Sequence, residues 1–291
     1  MNGVIVINKP AGLTSHDVVN RVRRILAEKS IGHLGTLDPM ATGVLPLVAG
    51  RMTRLSQFYT MSNKSYEGEI RFGFSTDTYD AEGEPVGDVR EVKVELEQLR
   101  EAVRQFNGRI QQVPPQFSAK KVDGVPAYKH ARKNREVELK SVEVEVRRFE
   151  ILSLEGDRAR FQADVSSGTY IRSIAHDLGQ KLGIGAHLSA LTRTASGEFK
   201  IEESVRLEDL QHAFQNGTAE QLFIHPRRLL PEFPCVTADE QSAAFIRNGR
   251  AVNLPELSRA KLVKVFQGQT ELIAIVSRVA GTLFQPKIVL V

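Results

Sequence analysis

The feature that most constrains this chain is the stretch at residues 32–46, GHLGTLDPMATGVLP. Pro39 biases Asp38 away from helical backbone, and Gly35 and Gly43 allow sharp turns on either side of it. The stretch therefore reads as a loop that holds one carboxylate, Asp38, in a fixed non-helical pose at the mouth of a cleft. His33 stands ahead of that carboxylate and Thr42-Gly43 closes the loop. Loops carried on a rigid scaffold are where catalytic groups concentrate. An ordinary turn, with the Asp side chain capping nearby amides before a proline, fits the same residues.

The rest of the chain alternates strand and helix patterns. Residues 3–7 read as a short buried strand ending at the turn cluster Asn8-Lys9-Pro10-Ala11-Gly12. Thr14 or Ser15 caps a helix with Val18, Val19, Val22, Ile25 and Leu26 on one face and Arg21, Arg23 and Arg24 on the other. A strand over 44–49 and a short helix over 51–58 follow. Residues 64–74 alternate, with Tyr66, Gly68, Ile70, Phe72 and Phe74 on one face and Glu67, Glu69 and Arg71 on the other. A helix over 94–106 stops at Asn107-Gly108. Strands over 141–154 and 158–165 join at Glu155-Gly156-Asp157. A turn at Ser166-Ser167-Gly168-Thr169 opens a helix carrying Ile171, Ile174, Ala175, Leu178 and Leu182, and a strand over 187–194 follows. Residues 113–140, with Pro114, Pro115 and a basic run, read as an insertion, because the α/β pattern resumes after it. The character changes at 229–234, LLPEFP, beyond which come a short helix ending at Asn248-Gly249 and several β-rich runs. The expected class is α+β: a mixed sheet with a cleft over residues 1–230, and a small β-rich domain over 231–291.

Net charge of +4 and a pI near 9.2 permit an anionic partner without requiring one. Residues 1–65 carry eight Lys/Arg against three acids, and residues 117–135 carry six against Asp123 alone. Such zones suit a phosphate backbone, and equally suit a solvated face. Residues 77–101 are acidic by contrast. One cysteine, Cys235, excludes an internal disulfide, and no Cys/His cluster has zinc spacing. Ser15-His16-Asp17 is no catalytic triad, because adjacent side chains diverge. The first residues lack the pattern of a signal peptide and no apolar run approaches membrane-spanning length. The expectation is a soluble, cytoplasmic protein without metal or cofactor.

Residues 32–46 closely resemble the catalytic loop of the TruB family of tRNA pseudouridine synthases, in which the Asp at the position of Asp38 is the catalytic acid. Asn8-Lys9-Pro10-Ala11-Gly12-Leu13-Thr14-Ser15 resembles the family's N-terminal motif, which packs beside that loop; the resemblance puts Lys9 among the substrate-binding residues. Tyr66, in Lys64-Ser65-Tyr66-Glu67-Gly68, matches the active-site tyrosine that stacks on the target base and takes part in proton transfer, although a strand aromatic also serves core packing. Gly168-Thr169-Tyr170-Ile171-Arg172 resembles a third motif: Arg172 matches the ion-pair partner of the aspartate and Tyr170 joins the substrate site. Leu191 aligns with an apolar residue against the bound base, and His33 with a residue associated with base flipping. Pro115-Gln116-Phe117-Ser118-Ala119-Lys120-Lys121 resembles a thumb loop, within 113–140, that clasps the RNA stem-loop, with Lys120 and Lys121 as contacts. Residues 231–291 look like a PUA-type RNA-binding domain.

The resemblance implies the pseudouridine synthase fold, with a mixed, mainly antiparallel sheet and flanking helices. It implies conversion of uridine 55 in the tRNA T-loop to pseudouridine, with the T stem-loop as partner, no cofactor, no obligatory protein partner, and a monomer. A rival reading is an RNA-binding or RNA-folding module whose function survives loss of Asp38. A hydrolase using Asp38 is disfavoured, because no second carboxylate stands at a recognisable spacing. A guide-RNA-dependent relative would share the loop; the compact length and lack of long basic tails favour the stand-alone bacterial type.

Overall fold

The computed structural model describes residues 1–118, 120–122, 124–131 and 137–291. Its first strand, Gly3–Lys9 (β1), is buried on both faces: Ile5 and Ile7 enter one core, Val4 and Val6 another. That double burial is why the segment is continuously apolar rather than alternating. Eight more strands complete the sheet: Ile31–His33 (β2), Thr42–Ala49 (β3), Lys64–Phe72 (β4), Gly108–Gln112 (β5), Val142–Glu155 (β6), Arg158–Val165 (β7), Ala186–Ser196 (β8) and Phe199–Lys200 (β9). The order across the nine-stranded sheet is β1-β3-β8-β4-β7-β6-β5, with β2 on β3 and β9 on β8. All pairings are antiparallel except the short parallel contact of β3 with β8, Thr42 opposite Thr192 and Gly43 opposite Arg193. Gly43 is needed there: its φ is +96° and a Cβ would lie 2.3 Å from the Arg193 carbonyl oxygen.

Helices Ser15–Leu26 (α1), Leu96–Arg104 (α2), Ile171–Lys181 (α3) and Leu207–Gln215 (α4) bury their apolar faces against one side of the sheet. Thr14 caps α1 in a capping box with Asp17, which frees Ser15 for another task. On the other side, the β1–β3 end of the sheet packs against a five-stranded sheet, Cys235–Ala238 (β10), Val252–Asn253 (β11), Leu262–Gln267 (β12), Glu271–Ala280 (β13) and Leu283–Val289 (β14), of order β10-β12-β13-β14-β11. Phe266, Leu272, Ile275 and Ile288 from that second sheet share a core with Val4, Val44, Val48 and Leu55. Burying apolar area from both units in one cluster couples them, since separating them would re-expose it to water. Tyr59 and the Leu230 amide both donate to Glu198 Oε1, at 2.8 and 3.0 Å, across the same seam.

The architecture is α+β with a mixed, mainly antiparallel sheet and a C-terminal β domain. The alternating strand over 64–74 ends at Phe72, because Gly73 adopts φ +105° and turns Phe74 off the ladder. The helix over 94–106 is confined to α2, and the one over 51–58 is a 3-10 helix, Gly50–Phe58. Helix α4 lies where the sequence reading named no element. In the insertion, the described residues include the ribbon Lys121–Val122 with Val125–Pro126 and a helical turn, Ala127–Ala131. Among the described residues no helix is long and apolar enough to cross a membrane.

Candidate active site

The loop between β2 and β3 is held through its own backbone. Arg193 on β8 is fully buried and donates from Nε to the Val44 carbonyl at 2.8 Å, from Nη1 to Thr36 at 3.1 Å and from Nη2 to Gly35 at 3.1 Å. Ser15 at the start of α1 donates to the Leu37 carbonyl at 3.0 Å and accepts from the Leu37 amide at 2.8 Å. The Asp38 carbonyl accepts from the Ala41 amide, and the Pro39 carbonyl from the Gly12 amide. Lys9, also fully buried, adds its ammonium to the Pro39 carbonyl at 3.0 Å and to that of Pro10 at 2.9 Å. Every backbone carbonyl from Gly35 to Pro39 thus has a donor, and the three side chains supplying most of them come from distant segments. Buried polar groups satisfied in this way rigidify a loop, because any displacement orphans several of them together.

That frame fixes Asp38 against Arg172, the second residue of α3. Arg172 Nη2 donates to Asp38 Oδ1 at 3.1 Å, and its Nε lies 3.0 Å from Oδ2 as an ion-pair contact without hydrogen-bond geometry. The other edge of the guanidinium meets a second carboxylate: Nη1 is 3.2 Å from Asp80 Oδ2. Nη1 also donates to the Thr78 carbonyl at 3.3 Å and Nη2 to the Phe117 carbonyl at 3.0 Å, so Arg172 links the insertion to the loop. Side-chain exposure separates the acids: 3% for Asp80 against 30% for Asp38. Asp80 is the anchored member, receiving also the Thr78 hydroxyl at 2.6 Å and the Glu82 amide at 3.1 Å. Burial pushes the Asp38 carboxyl above the usual carboxylate range; Arg172 and Lys9 pull it down and Asp80 pushes it up. Burial lowers the Lys9 ammonium to about 8.

Asp38 lies between two cavities. One, of about 390 Å³, is lined by Tyr66, Tyr170, Leu191, Lys64 and Arg172 together with Asp38. The other, of about 420 Å³, holds His33, His16, Glu82, Asp80 and Phe117. Tyr66 and Leu191 are nearly buried on the adjacent strands β4 and β8. The Tyr170 backbone is fixed by Gln112, which accepts from its amide at 2.8 Å and donates to its carbonyl at 3.0 Å; burial raises its phenol pKa. The structure therefore brings Asp38, Tyr66, Tyr170, Arg172 and Leu191 together and sets His33 on the opposite side of the loop. His33 Nδ1 accepts from the Gly35 amide at 3.3 Å, and burial lowers its pKa, favouring the neutral ring. Lys9 departs from the expected substrate contact: with no exposure and its ammonium bound to two carbonyls, it supports the loop from beneath. Lys120 is exposed and lines neither cavity; the side chain of Lys121 lies outside the described residues. Among the described residues no group of three or more His, Cys, Asp or Glu is placed to hold a metal ion.

Asp80, Arg193 and Lys64 carry no signal of a site role in the sequence, and Ser15 signals only a helix cap. Asp80 sits in the acidic stretch over 77–101, and only its burial against Arg172, ninety-two positions away, gives it a role. A partly exposed carboxylate, clamped by a buried guanidinium and facing a cavity walled by an aromatic ring and a leucine, is arranged to act on a flat, nucleoside-sized group. A carboxylate so placed has the chemistry of a nucleophile or of a stabiliser of positive charge.

Residues 23–171 match the family model described as TruB family pseudouridylate synthase (N terminal domain), and residues 172–231 match that of the tRNA pseudouridylate synthase B C-terminal domain. The chain is 51% identical to the tRNA pseudouridine synthase B of Solibacter usitatus, covering 100% of both chains. It is 42% identical to that of Bacillus anthracis, covering 94% of this chain and 92% of the other. Among solved structures, it superposes on a chain of a Cbf5-Nop10-Gar1 complex with a TM-score of 0.70 at 29% identity, covering 96% of this chain and 79% of that one. A chain of the archaeal box H/ACA sRNP Nop10-Cbf5 complex gives a TM-score of 0.71 at 27% identity, covering 100% and 86% respectively.

Proposed function

Because the chain belongs to the TruB family of pseudouridylate synthases, we propose that it isomerises uridine 55 in the T-loop of tRNA to pseudouridine, with Asp38 as the nucleophilic acid. The observation that carries this reading is the Asp38–Arg172 pair at the wall of the cavity that also holds Tyr66 and Leu191. Isomerisation breaks the bond from ribose C1′ to N1, turns the uracil and joins C1′ to C5, while the C5 proton is lost and N1 gains one. No electrons leave the nucleoside, so the reaction needs no redox cofactor.

Each residue then has a task. The target uridine leaves the loop of a folded RNA, at a cost of a few kcal/mol, and enters between Tyr66 and Leu191. Tyr66 stacks on the uracil and is the candidate acceptor of the C5 proton. Arg172 keeps the Asp38 carboxylate ionised and aimed, so that it either attacks C1′ or the base, or stabilises a cationic sugar. Because the loop carbonyls already have their donors, little reorganisation accompanies the reaction, which is the condition for strong electrostatic stabilisation. His33, on the other side of the loop, faces the space the base vacates. Lys120 and Lys121, in the thumb at 113–140, contact the stem-loop backbone. Residues 1–230 form the catalytic domain and residues 231–291 a PUA-like RNA-binding domain. The protein works in the cytoplasm as a monomer, without an obligatory protein partner.

A pseudouridine-specific chemical map of an unmodified tRNA transcript tests the reading. Wild-type protein should give a single new signal, in the T-loop, and Asp38→Asn should give none while still binding the transcript. A signal from Asp38→Asn in a clean preparation would remove Asp38 from the chemistry, and binding without any signal would favour an RNA-binding module.

A further inference from the structure

Among the described residues three cations line the cavity that holds Asp38, Tyr66 and Leu191: Arg172, Arg193 and Lys64. Arg172 is committed to two carboxylates and two carbonyls, and Arg193 is fully buried on three carbonyls. Lys64 differs. It begins β4, is half-buried, and among the described residues its ammonium has one hydrogen-bond partner, the Ser62 carbonyl at 2.6 Å, and no carboxylate within ion-pair distance. Two of its three N–H donors are therefore free to meet a ligand. We propose that Lys64 binds the phosphodiester adjoining the target uridine, fixing the ribose over Asp38 while the uracil stacks on Tyr66.

Two further observations support this assignment, which rests on the reading of this cavity as the uridine site. The first is charge. Asp38 is the one acid lining the cavity among the described residues, and Arg172 already offsets it; Arg193 and Lys64 leave the wall positive. Uracil is neutral, so the part of an entering nucleotide that answers this charge is its phosphate. The second is spacing. Lys64 and Tyr66 are two residues apart on one strand and share a face, about 7 Å from each other along it, so cation and ring address two parts of one nucleotide. Burial and the neighbouring Arg193 lower the Lys64 ammonium to about 8, a penalty on the charged form that the negative charge of a bound phosphate would offset.

The test uses the full chain and a T stem-loop RNA with one uncharged methylphosphonate linkage, immediately 5′ or 3′ of the target uridine. For native RNA, Lys64→Gln should raise KM about tenfold with a much smaller change in kcat, and Lys64→Arg should recover most of the loss. One of the two neutral linkages should cost the wild type a similar factor and cost Lys64→Gln nothing further. The slope of log binding constant against log salt should be shallower by about 0.7 in Lys64→Gln, the release expected from one contact on single-stranded nucleic acid. Indifference of the wild type to both linkages overturns the assignment, whether or not the variants fold; so do losses that multiply in the combined experiment. Asp38→Asn run alongside separates the two levels. If it turns over, the cavity is not the reaction site; if it is inactive while the losses multiply, Lys64 alone is misassigned.

Discussion

Arg193→Met measures how far the loop depends on its frame. The guanidinium makes three hydrogen bonds to carbonyls with no exposure, and among the described residues no carboxylate pairs with it. Hydrogen bonds from a charged donor contribute about 1.5–3 kcal/mol each, so losing the set removes roughly 5–9 kcal/mol. Methionine no longer requires burial of an unpaired charge, which returns about half of that sum, leaving a net loss of about 3–4 kcal/mol. At roughly 2 °C per kcal/mol for a chain of this size, the melting temperature should fall by about 7 °C. Activity should fall further than stability, because Gly35 and Thr36 immediately precede Asp38 in the loop and a shift of about 1 Å at a reacting group costs about a hundredfold. Arg193→Lys keeps the charge but not the three-way geometry, and should fall between methionine and wild type. Thermal melts and single-turnover pseudouridine formation read both effects. If Arg193→Met melts within about 1 °C of wild type and keeps its rate, the loop is not held in this way.

The acid limb of kcat/KM should have its midpoint above 3.8, because burial raises the Asp38 pKa and activity is lost as pH falls through that value. Arg172→Met should move the limb upward and Asp80→Asn downward, since Arg172 pulls the Asp38 pKa down and Asp80 pushes it up; pH–rate profiles of both variants check the signs, and two shifts in the same direction would refute the arrangement. Asp80→Asn should also lower stability by about 2–3 kcal/mol, less than the full cost of breaking a buried pair because Arg172 keeps Asp38; urea unfolding reads it. Lys9 titrates near 8 in the folded chain against 10.5 for an ordinary lysine. The unfolded state therefore binds more protons between those values, and stability contributed at this site rises with pH across that window. Lys9→Met should flatten that rise in urea unfolding measured from pH 8 to 10.5, while weakening activity because the Pro39 carbonyl keeps only the Gly12 amide as donor; an unchanged slope would refute the assignment.

Legibility from sequence followed the range of the interactions. Asp38 and the turns around it were readable because Pro39, Gly35 and Gly43 write local backbone preferences into neighbouring residues. The strands over 141–154 and 158–165 were readable because alternation and the Glu155-Gly156-Asp157 turn are local too. Tyr66, Tyr170, Arg172 and Leu191 came from resemblance, and what brings them to one cavity is sheet order: β8 lies between β3 and β4, so the residue after Thr192 reaches the loop of residue 38. Buried charge was the least legible. Lys9 reads as one residue of a turn cluster, Arg193 carries no local signal and Asp80 is one more acid in an acidic stretch, until chain segments some 30 to 158 positions away supply their partners. No periodicity encodes such pairings. Ser15 was ambiguous for a different reason: Thr14 and Ser15 are both good helix caps, and only the capping box with Asp17 shows that Ser15 is free to hold Leu37.

The proposed function requires that the cavity of Tyr66 and Leu191, rather than that of His33 and Glu82, receive the target base beside Asp38. A crystal structure of Asp38→Asn bound to a T stem-loop RNA tests it directly. The expected result is an extruded uridine with its ring on Tyr66 and against Leu191, and its C1′ within about 3.5 Å of the side chain at position 38. A uridine still stacked in the loop, or one lodged between His33 and Glu82, would contradict it.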